Sequence, residues 1–191
     1  QLLRGNRTTK INAENFNAFQ SFNYPPLATA GIHIKYDLDR IKRADPRLPM
    51  HPHYAFDTNV IILTLFPGIQ ENIIRNALST PGLKAVILKT YGSGNAPQKP
   101  WFIKLLTEVT QRGIVIVNIS QCPTGTVEMA RYETGIHLLD AGVISGYDAT
   151  VECVLTKLMF LLGHDLTPQE IRNEMSRSLA GEITRPEMPT R

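Results

Sequence analysis

Three apolar runs, each followed by a helix-length stretch, constrain this chain more than any other feature. They are Val60-Ile-Ile-Leu-Thr-Leu65, Ala85-Val-Ile-Leu88 and Ile114-Val-Ile-Val-Asn-Ile119. None alternates polar with apolar residues, so each suits a strand covered on both faces rather than one with a wet side. Breakers delimit them: Pro67-Gly68, Pro81-Gly82 and Gly113. The spacing predicts strands over 60–65, 83–89 and 114–119, with a brief fourth over 142–144. Helices are expected over 71–78, 100–112, 128–139 and 151–162. Thr167-Pro-Gln-Glu170 reads as a capping box with proline at the first helical position, opening a last helix. Strands separated by helices imply right-handed βαβ units. The expected fold class is therefore α/β, a small parallel sheet of about four strands with helices on both faces.

Residues 1–57 do not fit this rhythm. Arg4, Arg7 and Lys10 fall in a polar turn and read as solvated charge. Phe16, Phe19 and Phe22 need a core that so short a segment does not supply, and residues 32–36 alternate like an edge strand. Residues 37–57 carry Pro46, Pro49 and Pro52 among mixed charges, as a linker does. His51 and His53 flank Pro52, but no further ligand follows at metal-site spacing, so they read as linker residues. Gln1-Leu2-Leu3 reads like the middle of a strand, so the chain is expected to be a piece of a longer protein. The boundaries expected are 1–36 as the end of a larger N-terminal domain, 37–57 as linker and 58–191 as the α/β unit. From Ala180 onward the sequence reads as a charged tail.

The totals narrow the function. The net charge of +3 is dispersed, which speaks against a nucleic-acid partner. No apolar run nears the ~18 residues of a membrane span, and no stretch reads as a signal peptide. Cys122 and Cys153 are the only cysteines, which suits a reducing cytoplasm. Chemistry concentrates in the loops after the second and third apolar runs. One holds Thr90, Ser93 and Asn95 around Gly92 and Gly94; the other holds Ser120, Gln121, Cys122 and Thr124. In a parallel sheet such loops lie at the carboxyl ends of strands, where ligands bind. If the two strands are neighbours, both loops face one crevice, suited to a small polar ligand such as an amino acid. No phosphate loop and no Gly-x-Ser-x-Gly elbow is present. Cys122 lacks an evident histidine partner. Asp148 and Glu152 are explained by helix capping and the helix dipole.

Four segments carry a resemblance: Arg4-Gly-Asn-Arg-Thr-Thr-Lys10, Tyr91-Gly-Ser-Gly-Asn-Ala-Pro97, Tyr132-Glu-Thr-Gly135 and Asp148-Ala-Thr-Val-Glu-Cys-Val-Leu-Thr-Lys-Leu158. Together, in order and over nearly the whole chain, they resemble the cytosolic type I L-asparaginases. The resemblance implies an amidohydrolase that needs no cofactor, with L-asparagine as substrate. It also implies a partner in the protein's own N-terminal catalytic domain, and assembly as a homo-oligomer, dimer or tetramer. Lys10 falls at the family's catalytic lysine. Asn95 falls at an asparagine that enters the neighbouring subunit's substrate pocket. The family's nucleophile runs, Thr-Gly-Gly-Thr and His-Gly-Thr-Asp-Thr, are absent from this sequence, so the chain is expected to be inactive alone. Some members bind asparagine at a regulatory site, which would fall on Thr9, Lys89 and Cys122. Those members carry arginine where Lys89 stands, and lysine lacks arginine's planar, bidentate grip on a carboxylate. The alternative to an enzyme part is thus a non-catalytic asparagine-binding module. A third relative class acts on charged tRNA, a role the weak basic character does not favour.

Overall fold

A computed structural model of the chain describes residues 1–131 and 133–184. The chain opens with a single 3-10 turn, Gly5–Arg7, and two antiparallel strand pairs. β1 (Thr9–Lys10) pairs with β2 (Phe19–Gln20), and β3 (Ala28–Ala30) with β4 (Ile34–Tyr36). Two-stranded pairs have little stability of their own, and these bury few of their apolar side chains. Phe16 is 109% exposed and Ile32 99%. What holds the segment is polar. Arg4 Nη1 donates to the Gly181 carbonyl at 3.2 Å and Asn6 Nδ2 to that of Ala180 at 3.0 Å.

The expected sheet follows. β5 (Val60–Thr64), β6 (Ala85–Thr90), β7 (Val115–Ser120) and β8 (Ile144–Ser145) are parallel and lie in that order. The unbroken apolar runs have a simple cause: both faces are covered. Val86, Leu88 and Ile116 point into one core, with Leu105, Leu106 and Leu138. That core is roofed by α1 (Glu71–Leu78), α2 (Pro100–Gln111) and α3 (Glu133–Asp140). Ala85, Ile87, Val115 and Val117 point the other way, onto α4 (Val151–Leu162) and α5 (Pro168–Met175). Each large side chain so buried contributes about 1.5–3 kcal/mol.

The start of α5 is as expected, while α4 is capped by Thr150 rather than by Asp148. Thr150 caps α4, its Oγ1 accepting from Cys153 N at 3.2 Å. Thr167 and Glu170 form the reciprocal capping box of α5, with Pro168 in the first turn.

Three expectations change. The helix expected over 128–139 is a 3-10 turn, Met129–Arg131, followed by α3. A β-carbon at Gly135 would lie 2.1 Å from the Met129 carbonyl oxygen, so the chain doubles back too tightly for one axis. Arg7 is no solvated charge, being 2% exposed. The tail expected from Ala180 is, over 180–184, part of the body. Glu182 and Ile183 are buried, and Lys157 Nζ donates to Glu182 Oε1 at 2.7 Å. The rest of that tail, 185–191, and Tyr132 of the resembling segments lie outside the described residues.

Candidate functional site

β6 and β7 are neighbours, so the loops after them meet at the carboxyl edge of the sheet. Ser120 Oγ donates to the Gly92 carbonyl at 2.6 Å, and Gln121 N to that of Thr90 at 2.9 Å. The first loop is closed on itself by Tyr91 N to Asn95 O at 2.9 Å and Asn95 N to Tyr91 O at 2.8 Å. Beneath it lies a fully buried polar pair. Thr90 Oγ1 donates to Asn118 Oδ1 at 2.7 Å, and Asn118 Nδ2 to the Gly94 carbonyl at 3.2 Å. Asn118 is the one polar residue inside its apolar run, and that oddity was the available signal for this role. Gly94 has φ +113°, and a β-carbon there would sit 2.9 Å from Val127 Cγ1 and 3.2 Å from Asn118 Nδ2. Both the dihedral and the space demand glycine.

This scaffold holds Asn95 half-buried. Thr134 Oγ1, in the first turn of α3, donates to Asn95 Oδ1 at 2.6 Å. That bond sets the amide's orientation. The Nδ2 donors have no partner among the described residues.

A second locus is a crevice of about 170 Å³ beside the sheet edge. It is lined by Thr9, Lys89, Ser120, Gln121, Cys122 and Tyr147, among others. Such a volume is below that of a drug-sized site and fits a ligand of amino-acid size. Thr9 Oγ1 donates to Glu152 Oε2 at 3.1 Å, bringing a carboxylate to the rim. Lys89 supplies a cation at the end of β6. Cys122 is exposed and unpaired, its N–H donating to Ser120 Oγ at 2.9 Å. No histidine is among the residues that line the crevice. Cys153 is buried below, where burial, reinforced by the Glu182 charge, pushes its thiol up to about 11.

The crevice wall rests on an ion pair not foreseen from sequence. Arg7 donates to Asp148 from both Nη1, at 2.9 Å, and Nη2, at 2.6 Å. Its guanidinium also donates to Glu182 O at 2.7 Å, Asn23 O at 3.1 Å and Thr184 Oγ1 at 3.1 Å. Burial pushes the Asp148 carboxyl up, but the hydrogen bonds from Arg7 and Thr184, together with the Arg7 charge, hold it below the usual range. Asp148 is thus no helix cap; Thr150 does that work. Glu152 does stand in the first turn of α4, where the helix dipole favours it. Asn23 clasps the same wall, accepting from Gly125 N at 2.9 Å and donating to the Asp148 carbonyl at 3.2 Å. No linear signal marks Arg7 and Asp148 as partners, because 141 positions separate them.

The structure therefore brings Thr9, Lys89 and Cys122 into one crevice and sets Lys10 and Asn95 outside its lining. Lys10 follows Thr9 on β1, so strand alternation sends its side chain to the other side, where it is exposed. It has no hydrogen bond or ion pair among the described residues.

Residues 59–175 match the model of the glutaminase/asparaginase C-terminal domain, and residues 1–42 that of the asparaginase N-terminal domain. Over 185 residues the chain is 47% identical to L-asparaginase 1 of Escherichia coli, covering 96% of this chain and 54% of that protein. The 60 kDa lysophospholipase of Homo sapiens is 40% identical over 192 residues, covering all of this chain and 33% of that protein. The crystal structure of L-asparaginase I from Vibrio cholerae superposes with a TM-score of 0.89 at 42% identity, over 96% of this chain and 55% of that one. The chain thus spans about half the length of these asparaginases and a third of the human protein. An α/β sheet of this order, matched along most of its length, places the chain in the glutaminase/asparaginase family.

Proposed function

We propose that this chain is part of an L-asparagine amidohydrolase, converting asparagine and water to aspartate and ammonia. The observation that carries the reading is the succession, in one chain, of matches to both asparaginase domains. In this reading residues 1–36 end the N-terminal catalytic domain, 37–57 form the linker and 58–191 the C-terminal domain. Lys10 offers an ammonium that no described residue engages. It would lower the pKa of a threonine hydroxyl brought by the rest of the catalytic domain. Asn95, its amide oriented by Thr134, would donate to substrate bound in a neighbouring subunit, which makes a homo-oligomer the working form. A cytoplasmic setting is supported by two free cysteines, one of them exposed.

Ammonia release from L-asparagine tests this. This chain alone should release none. Joined to the preceding half of an L-asparaginase relative, it should turn over, and Lys10→Met should then cut kcat by ~10²–10⁴-fold with KM little changed. Release by this chain alone, or full turnover in the Lys10 variant, contradicts the assignment.

A second reading is favoured by a separate observation: Thr9, Lys89 and Cys122 line one crevice. With Glu152 at the rim it offers a cation for a carboxylate and a carboxylate for an ammonium, as an amino acid requires. Here the chain would be an asparagine-binding regulatory module. Calorimetry with asparagine distinguishes it, since saturable heat from this chain without ammonia release supports a module.

A further inference from the structure

Two histidines meet where the segment before β5 crosses the end of α4. His53 Nδ1 and His164 Nε2 are 3.2 Å apart, although 111 positions separate the residues in sequence. The spacing rule that dismissed His53 as a ligand looked only along the chain. The approach is set by backbone. A β-carbon at Gly163 would lie 2.5 Å from the Ala55 carbonyl carbon and oxygen, so only glycine lets the segment lie across the helix end. Asp57 N then donates to the Met159 carbonyl at 2.9 Å, fixing the crossing one turn earlier.

We propose that His53 and His164 form a binding site for a divalent transition cation of the zinc, nickel or copper kind, clipping this segment to α4. The first argument is the tautomer of His164. Its Nδ1 lies 2.7 Å from the Phe160 carbonyl oxygen. A carbonyl only accepts, so that nitrogen carries the proton and Nε2 presents its lone pair toward His53. An outer hydrogen bond from one ring nitrogen to a carbonyl, leaving the other to the metal, is the usual support of a ligating histidine. The second argument is distance. Two imidazole nitrogens bound at ~2.0–2.1 Å with a tetrahedral angle lie about 3.3 Å apart. The pair already stands at that separation, so a metal enters once each ring turns its lone pair from the other nitrogen toward a shared point. Metal-free, His53 Nδ1–H donates to His164 Nε2. On binding, the His53 proton moves to its Nε2, and both lone pairs face the ion.

The surroundings suit an ion held by imidazole rather than by carboxylate. The Phe160 ring stands 5.7 Å from His53 and 4.5 Å from His164, closing one side with apolar surface. Among the described residues, no group of three or more histidine, cysteine or acidic side chains gathers at one point. The site therefore has two protein ligands, with solvent completing the coordination. That favours metals which take nitrogen donors, not calcium or magnesium.

Calorimetric titration of zinc into the purified chain at neutral pH tests this. One saturable site per chain is expected, reversed by EDTA and abolished by His53→Ala. His164→Ala should weaken it at least about tenfold, the scale at which even outer-shell partners of metal ligands act. His33→Ala and His137→Ala should leave it unchanged. His53 is exposed, so its alanine variant is expected to fold, and an unchanged metal-free melting midpoint verifies that. Zinc should also protect the 41–56 segment from proteolysis in the parent and not in His53→Ala. No saturable binding up to millimolar zinc overturns the proposal. So does binding that survives His53→Ala or disappears with His33 or His137.

Discussion

At the scale of single residues, the proposed substrate contact depends on where one amide points. Asn95 is held by its backbone bonds to Tyr91 and by the Thr134 hydroxyl, and these fix different things. The backbone pair closes the loop; the hydroxyl orients the side chain. Asn95→Ala removes only the second, because alanine keeps the turn's N–H and carbonyl. In an active protein it should therefore lower kcat/KM by the worth of one hydrogen bond, about 1–3 kcal/mol, with little change in the unfolding midpoint. Thr134→Val should move kcat/KM the same way but less, since it frees the amide without removing it. Steady-state kinetics beside urea unfolding separates the two effects. A kcat/KM equal to the parent's in Asn95→Ala rules out a substrate contact. The sequence exposed Asn95 through its glycine neighbours, whereas nothing near it named Thr134, which arrives from a helix 39 positions on.

At the scale of elements, polar bonds join the segment before β5 to the α/β body, and Arg7 alone makes four of them. Its side chain is 1% exposed and that of Asp148 9%. A pair so covered contributes uncertainly when intact but is costly to break, because the survivor is a buried, unpaired charge. Arg7→Ala should destabilise by about 3–5 kcal/mol and make residues 8–36 cleavable at low protease concentration. Adding Asp148→Asn should return part of that loss, because the stranded charge is gone. Urea unfolding of the three variants checks it; a single-variant loss below about 1 kcal/mol would show that Arg7 behaves as a surface charge. The elements themselves were legible, because β6 and β7 carry apolar side chains on both faces and a capping box starts α5. Helix α3 was misjudged at its start, because the close contact of Gly135 with Met129 is tertiary and leaves no mark in the periodicity.

At the scale of the whole molecule, the C-terminal turn closes over α4 through Lys157 and Glu182. Burial pushes the Glu182 carboxyl up, but hydrogen bonds from Lys157, Leu179 N and Ala180 N pull it down from 4.5 to about 2. A carboxyl depressed on folding stabilises the protein above its unfolded value, and that contribution fades as pH falls from about 4.5 toward about 2. The amount is on the order of 3 kcal/mol. Asp148, also held below its usual range, adds in the same direction. The parent's urea midpoint should therefore drop between about pH 5.5 and pH 3, and Glu182→Gln should show a smaller drop from a lower start. Equal slopes for the two would mean the Lys157–Glu182 pair is not a source of acid sensitivity.

The amino-acid sequence by itself determined the parallel sheet, its helices on both faces, and the polar loops at its carboxyl edge. These follow from local properties: apolar periodicity, breakers and caps act between residues a few positions apart. Tertiary structure alone decided that Arg7 is buried against Asp148, that residues 180–184 belong to the body, and that Asn118 pins the Gly94 loop. It also decided that Lys10 faces away from the crevice in which Thr9, Lys89 and Cys122, grouped beforehand only by resemblance, are brought together. The physical reason is common to all of these. A charge or an amide reads as solvated wherever its neighbours in sequence are polar. Its fate is set by a partner delivered from 24 to 177 positions away, once the sheet has closed.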